Sequence, residues 1–115
     1  MEAMNPNAQN LLLDLTPYNA QPAPKTLRML TFRNGRIKEA SPSDPVFGVS
    51  EGNAPVTHAI IGGPCFIEAG EAIEAGDTLS PGPEGVAMKA GKKAGIYLAL
   101  TPAAASDAVM AIPIR

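Results

Sequence analysis

Thr26–Ala40 reads TLRMLTFRNGRIKEA, and the pair Asn34-Gly35 near its centre decides how the rest of the chain is read. Asn and Gly accept the positive φ angles of a tight two-residue turn. The flanking residues have the β-branched, aromatic and long-chain character of strands. The segment therefore predicts strands over 26–33 and 36–40 joined as a hairpin.

The same texture continues outward from this hairpin. Short runs of β-branched and apolar residues separated by Gly, Pro, Asn and Asp predict further strands near 46–50, 56–61, 65–68, 77–80, 85–89, 95–100 and 107–114. Gly or Pro interrupts almost every ten-residue window after Pro42, and each costs about 1 to 3 kcal/mol inside a helix. One short helical turn is expected after Thr101, which caps, with Pro102 where a missing amide costs nothing and Ala103–Ala105 as good helix formers. The fold class is all-β.

Composition bounds what such a domain can do. The chain has 115 residues and 11.9 kDa, 45% of them hydrophobic but only 4% aromatic and 17% charged, so a thin aliphatic core is expected. A net charge of -2 and a pI near 5.3 remove the broad basic footprint that nonspecific binding to nucleic acid requires. A single cysteine allows no internal disulfide, and no Cys/His cluster has zinc spacing. No apolar run approaches the roughly 18 residues of a membrane span, and no secretion signal is evident. A soluble protein made in a cytoplasm is expected, with no nucleic acid or membrane partner.

Residues 1–24 differ from the rest. They carry Pro6, Pro17, Pro22 and Pro24, no Lys or Arg, and one apolar cluster at Leu11, Leu12, Leu13 and Leu15. Proline removes amide donors and favours extended neighbours, so Thr16–Pro24 is expected to be extended outside any central strand. The leucines have room for at most one helical turn. Two readings of this arm stand side by side: a loose terminus, or a segment whose leucines dock on a partner.

A weak internal echo appears at an offset of about 50 residues. Gly35 falls on Gly85, Ala40 on Ala90, Val46 on Ile96, Phe47 on Tyr97, Val49 on Ala99, Ala59 on Val109 and Ile60 on Met110. This predicts two similar β units, each with a hairpin, a short aromatic strand and a returning strand. Pairing between them would remove exposed edges.

Few residues invite chemistry. Glu68, Glu71, Glu74 and Asp77 recur at intervals of three, which on a helix would gather carboxylates for a hard cation. Gly70 and Gly76 favour two solvated turns instead. Cys65 follows Gly62-Gly63-Pro64, and His58 is the sole imidazole, yet nothing is evident to orient that imidazole as a base. No nucleophile elbow, phosphate loop or dinucleotide fingerprint is present, so no enzyme activity and no cofactor are expected. Ala87-Met88-Lys89 resembles the lysine tripeptide of biotinyl and lipoyl carrier domains, although Val86 stands where an acidic residue usually precedes it. That leaves a carrier modified at Lys89, or a small adaptor of another oligomer, as alternatives. Five of nine basic residues, Lys25, Arg28, Arg33, Arg36 and Lys38, lie in or beside the first hairpin, and none occurs between Lys38 and Lys89. Basic and acidic surfaces complementary to a second copy are one reading of this segregation.

Several motifs in order point further. Gly76-Asp77-Thr78-Leu79 follows an apolar strand; then come Gly85-Val86-Ala87, Gly95-Ile96-Tyr97-Leu98-Ala99-Leu100 and the closing Asp107–Ile114, with Val46-Phe47-Gly48-Val49 earlier. Over residues 26–114 the chain resembles the small capsid decoration, or cement, proteins of tailed bacteriophages. The resemblance implies a compact β-barrel of the tulip or barrel-sandwich kind over residues 25–115, preceded by the extended Pro-rich N-terminal arm 1–24. It implies a structural protein on the outer surface of the virion capsid, bound to the major capsid protein, often as a homotrimer at three-fold positions. Such a protein stabilises an expanded head against the pressure of its DNA. In this reading Leu11, Leu12, Leu13, Leu15, Pro17 and Tyr18 form a capsid-binding arm, and Leu11→Asp with Leu13→Asp weakens shell binding without unfolding the barrel.

Overall fold

The computed structural model describes residues 11–18 and 23–114. The remainder of the expected arm, including Pro6 and Pro22, lies outside the described residues. Ten strands run in chain order: β1 Leu11–Asp14, β2 Met29–Arg33, β3 Arg36–Glu39, β4 Gly48–Glu51, β5 His58–Gly62, β6 Cys65–Glu68, β7 Thr78–Pro81, β8 Ala87–Lys89, β9 Tyr97–Ala99 and β10 Ala108–Pro113. The nine strands expected from the sequence are β2 to β10.

Two antiparallel five-stranded sheets result, ordered β1-β5-β4-β2-β3 and β6-β10-β9-β7-β8. Adding five to each label of the first sheet reproduces the second, so the chain is a structural duplication. Hydrogen bonds repeat with it: Leu15 N donates to Thr57 O and Ala69 N to Asp107 O, both at 2.8 Å. Ser50 N reaches Arg28 O at 2.9 Å, and Ala99 N reaches Asp77 O at 2.8 Å. Phe47 N donates to Leu30 O and Ile96 N to Leu79 O. The aromatic strand thus aligns Phe47 with Ile96 rather than Tyr97, because the connection from Ala40 to Phe47 is one residue longer than that from Ala90 to Ile96. The two tight turns also match, with φ of 54° and 75° at Asn34 and Gly35, and 56° and 76° at Glu84 and Gly85.

Each sheet has two faces, set by the alternation of side chains along a strand. In the first sheet the first face carries Leu13, Leu30, Phe32, Ile37, Ala59 and Ile61, and the second carries Met29, Val49 and Ile60. By ladder register, the first face of the second sheet carries Ile67, Leu79, Ala87 and Val109, and its second face carries Thr78, Leu98 and Ile112. The main core joins unlike faces. Met29, Val49 and Ile60 from the second face of sheet one pack with Cys65, Ile67, Leu79, Ala87, Tyr97 and Val109 from the first face of sheet two. A smaller core lies on the first face of sheet one, built from Leu15, Leu30, Ile37, Val56 and Ala59. The units therefore bury faces against each other, while among the described residues the outer strands of the two sheets form no ladder across the units.

The sequence reading is corrected at three places. The helical turn expected after Thr101 is absent, because the main chain of Ala103 exchanges hydrogen bonds with Ile73 at 2.8 and 3.0 Å and is held as a bridge. The leucines form a strand, not a helical turn: β1 pairs antiparallel with β5, placing Leu12 opposite Ile60 and Leu13 opposite Ala59. Thr16–Tyr18 is a short 3-10 turn where extended chain was expected. Asp14 Oδ1 accepts from Thr16 N at 2.9 Å, and the fixed φ of Pro17 suits that turn.

Candidate interaction surface

The strongest candidate surface is apolar. On the first face of sheet one, Leu13, Phe32, Ile37, Phe47 and Ile61 line an open groove of about 470 Å³. It runs between β1 and the β2–β3 hairpin. Phe32 is 51% exposed and Ile61 42%, so the smaller core beneath is only partly covered.

The six residues expected in a capsid-binding arm divide between this surface and the interior. Leu11 and Leu12 are 65% and 52% exposed, Leu13 is half-buried against the smaller core, and Leu15 is 1% exposed within it. Pro17 is exposed in the 3-10 turn, which Tyr18 ends. Leu15 cannot reach a partner in this conformation, because it is enclosed in the smaller core among Leu30, Ile37, Val56 and Ala59. Leu13→Asp would put a charge against the smaller core, so Leu11 and Leu12 are the cleaner sites for testing contact. Phe32, Phe47 and Ile61 were missed as surface candidates. Their alternation with Leu30 and Ala59 shows a shared face, but not that the face stays open.

The charge segregation is used inside the chain. Arg28, whose side chain is mostly buried, donates to Glu68 Oε1 at 3.1 Å and to Glu84 O at 3.1 Å. Lys25 pairs with Glu84, and its ammonium, the largest cause, holds that carboxyl below its usual range. Arg33 pairs with Asp44. Lys25 and Arg28 thereby tie the entry to sheet one onto sheet two. Arg28→Ala is expected to cost about 1 to 2 kcal/mol, since it strands a partly buried carboxylate and a carbonyl. Arg28→Lys should recover less than half of that, because a point charge cannot reach both acceptors. Urea unfolding midpoints check both variants.

The residues that invited chemistry are dispersed. Cys65 is buried in the main core, and desolvation pushes its thiol up to about 12. His58 is exposed, with Nδ1 2.9 Å from Thr57 Oγ1. The two do not lie on neighbouring strands, since β5 and β6 belong to different sheets. The acidic run forms turns: Asp77 Oδ2 accepts from Glu74 N, and Glu71 Oε2 from Lys89 N, both at 2.8 Å. Among the described residues no group of three or more His, Cys, Asp or Glu side chains is placed to hold a metal ion. Lys89 closes β8, with Ala87 of the same tripeptide in the main core.

No family model and no curated protein matches the chain. Among solved structures it is similar to the head fiber gp8.5 N base of bacteriophage phi29, with a TM-score of 0.63 and 19% identity over 90% of this chain and 93% of that one. At that identity the likeness establishes a shared fold.

Proposed function

We propose that this protein is a structural component of a phage head, a decoration or cement protein that binds the outer surface of an expanded shell and is itself a homotrimer there. The observation that carries the reading is a fold shared over nine-tenths of the chain with the base of a phage head fiber. The exposed leucines of β1 supply apolar contact area for the shell, and the side chains that invited chemistry are taken up in packing and turns. The work is mechanical. A protein bridging coat subunits adds interface and raises the barrier to rupture, with no bond chemically changed.

β1 is an outer strand, with one ladder edge unpaired among the described residues, the kind of edge to which another chain can add. Leu11→Asp with Leu12→Asp should weaken binding to expanded heads by roughly tenfold or more, since two exposed apolar contacts become charges. Cosedimentation with shells checks it, with an unchanged melting temperature as the control. Normal binding by that variant would remove β1 from the shell contact.

A further inference from the structure

The duplication leaves one seat filled and its equivalent open. In sheet two, the space between β6 and the β7–β8 hairpin receives the second face of sheet one. There, a Cβ on Gly85 would lie 2.4 Å from Met29 O and 3.1 Å from Arg28 Cβ. The equivalent space in sheet one lies between β1 and the β2–β3 hairpin, which is the groove. There, a Cβ on Gly35 would meet nothing within 4 Å.

The surface that would fill the open seat is also on the molecule. By register, Thr78, Leu98 and Ile112 on sheet two stand where Met29, Val49 and Ile60 stand on sheet one. Among the described residues, that second face of sheet two has no sheet across it. Leu98, Met110 and Ile112 are half-buried, and Phe66 beside Met110 is 48% exposed. The described residues of one chain therefore leave an open groove on a first face at one end and a second face without a facing sheet at the other, and their equivalents are the two halves of the chain's own core.

We propose that the groove of Leu13, Phe32, Ile37, Phe47 and Ile61 is the seat for the second face of sheet two of another copy, so that copies associate head to tail. The contact repeats between chains the packing already made within one. The charges of the internal seam are not reproduced here: Glu74 and Asp77 take the places of Lys25 and Arg28, and the uncharged Asn34 takes the place of Glu84. Asp14, in the place of Glu68, keeps its sign, so the apolar fit rather than the charge selects the seat. A contact between unlike surfaces closes into a ring when the rotation per step divides a full turn. This inference rests on the self-association in the reading above and identifies the surfaces that make it.

Complementation between two blocked variants tests it. Phe32→Asp blocks the groove and Leu98→Asp blocks the opposing face. Sedimentation of the full chain at about 1 mM should show oligomers, and each variant alone should be monomeric, a loss of roughly tenfold or more in affinity. The two variants mixed should form a species of two chains and nothing larger, since each retains the surface the other has lost. Because an aspartate on a sheet face can unfold it, Ile61→Cys and Ile112→Cys provide a second test, in which the mixture should cross-link and neither variant alone should. A wild type that stays monomeric, a single variant that associates normally, or a mixture that fails in both formats overturns the proposal. Phe32→Asp losing shell binding while still self-associating would give the groove to the coat and overturn it equally. Shell binding by the wild type is measured separately, so a failed self-contact leaves the decoration reading standing.

Discussion

Gly85→Ala is expected to destabilise the protein by about 3 to 5 kcal/mol, whereas Gly35→Ala, at the equivalent turn, should cost only about 1 to 2 kcal/mol. The backbone penalty is common to both, because φ is 76° at Gly85 and 75° at Gly35. The difference is in what surrounds them. A methyl group on Gly85 would press on Met29 O, a backbone atom of a central strand that cannot swing aside, while one on Gly35 faces open space. Denaturant midpoints of the two variants measure the difference directly. Equal losses would mean that the close approach of sheet one to the second hairpin is not maintained, and the comparison of filled and open seats would lose its basis.

Leu15→Ala should cost about 2 to 4 kcal/mol, the range for deleting a fully buried leucine from a core that cannot collapse around the gap. Leu15 is 1% exposed among Leu30, Ile37, Val56 and Ala59, and its amide is held by Thr57 O at 2.8 Å. Leu11→Ala, at a 65% exposed position four residues earlier, should change stability by less than about 0.5 kcal/mol. Thermal unfolding separates the pair, and limited proteolysis adds a local readout, since a loosened Leu15 should release β1 first. If Leu15→Ala were as mild as Leu11→Ala, β1 would be an appendage rather than part of the body.

These two variants bear on how a decoration protein would hold a shell. In the structure the leucine segment is a strand seated by Leu15, with Leu11 and Leu12 presented outward. A preordered contact loses less entropy on binding than a loose arm would.

Much of the fold was legible because its signals are local. Asn34-Gly35 has the backbone freedom that its turn requires, and the period-two pattern marks β2 to β10 because a strand's alternation depends only on neighbouring residues. The echo of Gly35 with Gly85 and Ala40 with Ala90 was legible for the same reason: both copies need the same turn and the same hydrogen bond. Leu11–Asp14 was not. Four apolar and acidic residues between prolines have no period to display, and their strand exists only because β5 offers a ladder. The Thr101–Ala105 segment misled in the opposite sense, since good helix formers lost to a bridge with Ile73. The groove was hidden because Phe32, Phe47 and Ile61 look like ordinary core residues until the neighbouring unit is seen to lie on the other face.

What the amino-acid sequence determines alone, then, is an all-β chain of short strands in two similar halves, with turns placed by Gly, Asn and Pro and without a motif that commits it to catalysis. What the tertiary structure decides is which faces are covered. Both faces of each sheet carry apolar side chains, so alternation fixes which residues share a face but not which face turns inward. That choice is made by the packing of one half against the other. Because the halves join by unlike faces, the described residues leave one of each kind without a facing sheet.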